Sequence, residues 1–145
     1  SEKYEYKLDW MGHLEDHLKS LIANDTDFVI GGDFNIIPDT RDCYDPQAWE
    51  GDALFKPESR KIFRRLINAG LTDAFRVHDN SSGAYTFWDY QAGAWPQNHG
   101  IRIDHFLLSP RCADRLKKCW IDRKPRGLEK PSDHTVIALE MDSLI

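Results

Sequence analysis

One eight-residue stretch, Phe28-Val-Ile-Gly-Gly-Asp-Phe-Asn35, constrains this chain more than any other. Three consecutive apolar residues, Phe28, Val29 and Ile30, are too few for an ordinary helix and read as a buried strand. Gly31 and Gly32 follow, and residues without a Cβ let the backbone pass close to a neighbour or a ligand. Immediately beyond stand a carboxylate, Asp33, and a carboxamide, Asn35. Side chains two apart on an extended segment point the same way, so this pair is expected to face one site at the strand's end.

The rest of the chain supplies helices and further strands around that one. Leu8, Met11, Leu14, Leu18, Leu21 and Ile22 recur at three- and four-residue steps, which predicts a helix over 5–24. Residues 36–56 form a long polar and aromatic connection, and a connection of that length is usually a functional loop. A second helix is expected from Pro57, which suits a first turn, to Ala69. Ile62, Phe63, Leu66 and Ile67 form its apolar stripe, and Gly70 ends it. The aromatic run Tyr85-Thr-Phe-Trp-Asp-Tyr90 reads as a strand by β-propensity. Ile101–Leu108 reads as another, with Ile101, Ile103 and His105 on one face and Arg102 and Asp104 on the other. Ser109-Pro110 suits the start of a short helix, and two more strands are expected near 118–122 and 135–141.

Composition sets limits on function. With 145 residues, 41% hydrophobic and 30% charged, the chain is expected to fold as one ordered domain. No apolar run reaches the length of a membrane span, and Ser1-Glu-Lys-Tyr-Glu lacks the pattern of a signal peptide. Three cysteines without CxxC spacing point to a reduced, cytoplasmic setting rather than a disulfide scaffold or zinc site. The net charge of -5 gives no general attraction to nucleic acid, yet residues 111–130 carry eight Lys and Arg against three acids. Such a segment is either a phosphate-facing surface or a solvated face.

Three groups of polar residues mark expected strand ends: Asp33 with Asn35, Asp104, and Asp133 with His134. Ser132-Asp-His134 has the letters of a serine-hydrolase triad, but consecutive residues cannot form the required relay. A carboxylate that orients His134 should come from another strand, and Asp104 is the best candidate.

In order along the chain, Gly31-Gly-Asp-Phe-Asn35, Tyr85-Thr-Phe-Trp-Asp-Tyr90, Gly100-Ile-Arg-Ile-Asp-His105 and Lys130-Pro-Ser-Asp-His134 resemble the C-terminal half of the exodeoxyribonuclease III family. These are abasic-site endonucleases of the endonuclease/exonuclease/phosphatase superfamily. Ser1 to Leu8 is similar to the family segment that follows its active-site tyrosine. The resemblance implies an α/β (α+β) fold, half of a four-layer sandwich, with a mixed, largely antiparallel sheet and helices on one face. The other sheet face should then be bare and covered by the missing N-terminal half or by self-association.

The resemblance also implies roles. Asp33 would orient or deprotonate an attacking water, and Asn35 would donate to the scissile phosphate. His134 would contact that phosphate or move a proton, with Asp104 fixing its tautomer. Asp133 would lie near Mg2+ or Mn2+, ions that favour oxygen ligands. Phe87, Trp88, Ile101 and Ile103, with Arg102 nearby, match positions lining a pocket for a flipped-out abasic sugar, although core packing is an equal reading for Phe87 and Ile103. Arg126 and Lys130 are expected to contact phosphates, and Trp49 and Trp95 either stack on DNA or pack in the core. The family's first half, with its metal-binding Glu, has no counterpart in this stretch. The expected activity is therefore metal-dependent hydrolysis of double-stranded DNA at abasic sites or 3′ ends, weak or lost in a half alone. A superfamily phosphatase or lipid phosphodiesterase and a non-catalytic DNA-binding or assembly fragment are the alternatives.

Overall fold

A computed structural model describes residues 1–143. Helix α1, Glu2–Ala23, begins three residues earlier than the apolar spacing alone predicts. The reason is a cap: the Ser1 hydroxyl accepts the Tyr4 N–H at 3.3 Å, and Glu2 and Glu5 sit in the first turn where the helix dipole favours them. Strand β1, Val29–Asp33, follows. The 36–56 connection is not bare loop. It contains a 3-10 turn at Thr40–Asp42 and a one-turn helix α2, Pro46–Trp49, capped by the Asp45 carboxylate at the Ala48 N–H.

Helix α3, Pro57–Asn68, turns Ser59, Ile62, Phe63 and Leu66 inward. It packs on α1, and the two are joined by a fork in which Arg65 Nε and Nη2 each donate at 2.9 Å to the buried Glu15 carboxylate. Strand β2, Thr72–Asp73, and a short helix α4, Ala94–Gln97, precede strand β3, Asp104–Leu108. Helix α5, Pro110–Asp114, leads into strands β4, Leu116–Asp122, and β5, Val136–Met141. Ser109 does not cap α5 with its side chain; its hydroxyl accepts the Phe28 N–H at 3.0 Å instead, tying the helix start to the entry of β1.

Among the described residues the strands form two antiparallel sheets, β1-β3-β2 and β4-β5. Leu107 of β3 joins Met11, Leu18, Ile62, Phe63 and Leu66 in the main core, with Phe28 and Ile30 packed against it. Helices therefore cover one face of the three-stranded sheet. The expectation of a buried strand at β1 does not hold: Val29 is 41% exposed and Phe28 and Ile30 are only half-buried, because helices cover one face of this sheet. Val136 (49%) and Trp120 (38%) are exposed as well, on one face of the second sheet, because Trp120 pairs with Ala138, two residues along from Val136. Gly31 is required where it stands. It lies opposite Phe106, and a Cβ there would meet the Phe106 ring at 2.5 Å.

Tyr85–Tyr90 departs from the expectation of a strand. It forms only isolated bridges, Phe87 with Ile101 and Phe87 with His134, and so lies between two other segments as a clamp. The expected strand at Ile101 likewise starts only at Asp104, so the alternation of faces assumed for 101–105 fails at its N-terminal end. No described helix is long and apolar enough to cross a membrane.

Candidate active site

Antiparallel pairing sets the site. Asp33, last in β1, lies directly opposite Asp104, first in β3. His134 reaches the same place because the Phe87 bridge holds its backbone, and the Ser132 hydroxyl accepts the His134 N–H at 3.1 Å. The Ser132 side chain thus shapes a turn and stands outside any relay, as expected. His134 Nδ1 lies 2.8 Å from Asp104 Oδ2, while Nε2 faces Asp33 Oδ2 at 3.6 Å and Asp133 Oδ1 at 4.0 Å. The Phe87 ring meets the imidazole edge-on, with centroids 5.3 Å apart, and restricts its rotation.

Electrostatics follow from this crowding. Burial alone would lower the pKa of His134, but the Asp104 hydrogen bond and charge, with the charges of Asp33 and Asp133, outweigh it and hold the imidazole above its ordinary value. The Asp33 carboxyl is pushed up chiefly by burial and secondarily by the Asp104 charge. The Asn35 N–H, donated to Oδ1 at 2.8 Å, and the charges of His134 and Lys7 offset part of that rise.

Asp33, Asp104 and His134 form a group whose ligand atoms all lie within 4.8 Å of one another. Two carboxylates suit a hard divalent cation that keeps part of its water shell, and the fit is good on that count. The imidazole Nδ1 is engaged by Asp104, so the two carboxylates are the residues that would hold such an ion. Asp133, the residue expected near the metal, stands beside this group, and its carbonyl accepts the Trp88 N–H at 2.9 Å.

Not every expected site residue stands as the sequence suggests. Asn35 adjoins Asp33, its N–H donating to Oδ1 at 2.8 Å, but the two do not lie on one extended segment. The φ of Asn35 is 50°, a left-handed conformation that Asn tolerates, and its side chain makes no hydrogen bond among the described residues. Arg102 is 1% exposed; its guanidinium binds Asp42 at 2.7 Å and Asp73 at 2.8 Å, which corrects its expected place beside a substrate. Trp88 is fully buried, donates Nε1–H to Asn98 Oδ1 at 2.9 Å and meets Trp95 edge-on, so it is core and not pocket lining. Ile101 and Ile103 are buried with Ile37, Cys43 and Phe55, and half-buried Phe87 packs against them and sets its ring against His134.

Arg126 is buried and donates to the carbonyls of Trp88 and Asp89 at 3.1 and 3.3 Å, locking a turn and facing no open surface. Lys130 is exposed, with a φ of 50°. Much of the basic 111–130 segment is engaged locally. Arg111 pairs with Asp25 and Asp27, Lys117 with Asp142, and Arg123 lies over Trp95. Trp95 is half-buried in this cluster, and half-buried Trp49 packs beside Phe55.

Two residues that sequence reasoning missed shape the site. Thr86 is fully buried, and its hydroxyl accepts the N–H of both Ile103 and Asp104, at 3.0 and 3.2 Å, fixing the backbone from which Asp104 projects. Lys7 of α1 donates Nζ–H to the Asn35 carbonyl at 2.6 Å and places a positive charge near Asp33. Both lie within segments that carry the family resemblance, Thr86 in Tyr85–Tyr90 and Lys7 in Ser1–Leu8, but neither was singled out there. Thr86 is a lone hydroxyl among aromatic residues, whereas Lys7 is one of several charged residues at the start of α1 and carries no distinguishing signal.

Comparison with known proteins places this geometry. Residues 1–134 match the model of the Endonuclease/Exonuclease/phosphatase family. Exodeoxyribonuclease III of Haemophilus influenzae is 32% identical over 145 residues, with 95% of this chain and 54% of that protein covered. An AP endonuclease structure from Archaeoglobus fulgidus superposes with a TM-score of 0.91 at 34% identity, over 99% of this chain and 56% of the other. A 3′ phosphatase from Neisseria, bound to a product DNA hairpin, gives a TM-score of 0.91 at 37% identity with the same coverage. The chain spans about half the length of the relatives it matches. A family match over most of the chain, with the fold shared by AP endonuclease structures, shows that this chain belongs to the endonuclease/exonuclease/phosphatase family.

Proposed function

We propose that this chain carries the acid–base part of a nuclease site that hydrolyses phosphodiesters in DNA repair, at abasic sites and 3′ ends of double-stranded DNA. The observation that carries this reading is the imidazole of His134, bonded to Asp104 through Nδ1 and turned toward Asp33 through Nε2. Asp104 holds the imidazole in the tautomer with Nδ1 protonated and favours its cationic form. His134 then contacts or protonates the phosphate oxygens, and Asp33 orients or deprotonates the attacking water. Asn35 donates its amide to the phosphate, and Lys130 makes an outer phosphate contact. A divalent cation, Mg2+ or Mn2+, held by Asp33 and Asp104 with Asp133 alongside, would neutralise phosphate charge. Free cysteines suit a cytoplasmic setting.

The exposed Val29, Trp120 and Val136 support a second part of the reading: the chain works against a covering partner, either the other half of the family fold or a second copy. Sedimentation velocity tests this. Concentration-dependent association that weakens when Trp120 and Val136 are both changed to Ser is expected, and a monomer at every concentration would count against it.

The activity test is nicking of a duplex with one abasic site, with Mg2+ and with EDTA, beside a His134→Ala control. Metal-dependent nicking that disappears in the control, either alone or after the other family half is added, is expected. Nicking that survives His134→Ala would refute the assignment. The likeness to a 3′ phosphatase favours one specific alternative, release of phosphate from a 3′ end. A duplex with a 3′ phosphate, run in parallel, separates the two.

A further inference from the structure

A cavity of about 630 Å³ opens between α3, the 38–42 loop, and β2 with the turn that follows it; none of Asp33, Asp104 and His134 lines it. Five arginines face three aspartates along its walls. The aspartates are already engaged. Asp42 accepts from Arg102 and Arg76, Asp73 accepts from Arg102, and Asp39 pairs with Arg41 at 3.4 Å. Two guanidinium groups remain, those of Arg60 and Arg64.

These two are four residues apart on α3, hence neighbours on one face, where like charges cost stability. Arg60 is held in position: its Nε–H donates to the Phe55 carbonyl at 2.9 Å, and its guanidinium lies 4.3 Å from the Phe55 ring centroid. Its terminal nitrogens make no hydrogen bond among the described residues. Arg64 makes neither hydrogen bond nor ion pair among them. Arg76, whose side chain is 9% exposed and whose guanidinium pairs with Asp42, also lines the cavity. Between the charges the walls are apolar, with Phe63, Ile67 and Val77.

We propose that this cavity binds a phosphomonoester that carries an apolar or aromatic group, of the nucleoside 5′-monophosphate type. Arg60 and Arg64 hold the phosphate as a two-guanidinium clamp, and the apolar wall takes the uncharged part. The bound anion removes the repulsion between the two arginines. This site is separate from the Asp33–Asp104–His134 group and does not depend on the nuclease reading.

Isothermal titration of the chain with thymidine 5′-monophosphate, thymidine and inorganic phosphate tests the proposal. The monophosphate is expected to bind more tightly than either fragment, and Arg64→Gln and Arg60→Gln are each expected to weaken it about tenfold or more. Arg64 is exposed and unpartnered, so its replacement leaves the fold intact. His134→Ala should bind the monophosphate as the unmodified chain does. Equal binding of thymidine or of inorganic phosphate, unchanged affinity in both arginine variants, absence of any binding, or a loss confined to His134→Ala would each overturn the proposal.

Discussion

His105 should make this protein lose stability in mild acid, and the geometry says by how much. The side chain is fully buried, 0% exposed, between two groups of fixed hydrogen-bonding character. The Ile36 carbonyl, 2.9 Å from Nε2, can only accept, and the Arg102 guanidinium, 3.2 Å from Nδ1, can only donate. Those partners select the neutral imidazole with its proton on Nε2. A second proton on Nδ1 would point at a guanidinium. Burial, with the Arg102 charge next, pushes the His105 pKa down to about 4 from an ordinary value near 6.5. The unfolded chain therefore binds a proton between pH 6.5 and 4 that the folded chain refuses. Stability is full above that window and falls as pH drops through it. At about 1.4 kcal/mol per pH unit, the whole window is worth about 3 kcal/mol, of which about 2 kcal/mol is lost between pH 7 and pH 5. Urea unfolding of the unmodified chain and of His105→Gln at several pH values measures this. Gln keeps a donor within reach of Ile36 and never titrates, so the variant should be less stable at pH 7 yet flatter toward pH 5. His134 contributes with the opposite sign, because its pKa is raised in the fold, but it is present in both proteins and cancels. Equal losses in the two proteins between pH 7 and pH 5 would refute the reasoning.

Three further changes test the site and its frame. Asp104→Asn removes the charge that helps raise His134 and leaves only a neutral amide oxygen to accept from Nδ1, so the imidazole's titration, followed by its ring-proton NMR signals, should move to lower pH; abasic-site nicking should fall about a hundredfold or more. Thr86→Val deprives the N–H groups of Ile103 and Asp104 of their acceptor, which should cost about 1–3 kcal/mol for each donor left buried and unpaired, read as a lower urea midpoint that Thr86→Ser restores. Gly31→Ala places a methyl 2.5 Å from the Phe106 ring and should cost about 1–3 kcal/mol, a loss that should shrink when Phe106 is also changed to Leu in a double-mutant cycle.

The elements that were legible in the sequence are those with a strong local signal. The three- and four-residue spacing of Met11, Leu14 and Leu18 marks α1, and Pro57 with the Ile62–Phe63–Leu66 stripe marks α3. The pairing of His134 with Asp104 was legible too, because neighbours in sequence could not supply the carboxylate. What the sequence hides is partnership over long separations. Arg102 reads as an available cation until Asp42, 60 residues earlier, and Asp73, 29 residues earlier, are seen to bury it. Tyr85–Tyr90 has the composition of a strand, but the Thr86 hydroxyl takes two backbone donors that a ladder would otherwise use, so the segment clamps where a strand was expected. Asn35 departs from its expected direction because one residue with positive φ cancels the alternation of an extended chain.

The central tension of the site is its own charge. Antiparallel register sets Asp33 and Asp104 directly opposite each other, an arrangement of like charges that a sheet normally avoids. Backbone bonds enforce it. Phe34 N–H donates to the Ile103 carbonyl at 3.0 Å, and Thr86 fixes the Asp104 amide from the other side. The strain is relieved by positive charge brought from elsewhere: Lys7 from the first helix, and His134 from a segment 30 residues beyond Asp104. The two raised pKa values differ in cause: Asp33 is pushed up chiefly by burial, with the Asp104 charge adding to it, whereas His134 is raised against its own burial by the carboxylates around it. A pair of strand ends that concentrates carboxylates in this way is poised to take up a cation or a proton, and a phosphodiester-cleaving site needs both capacities within a few ångströms.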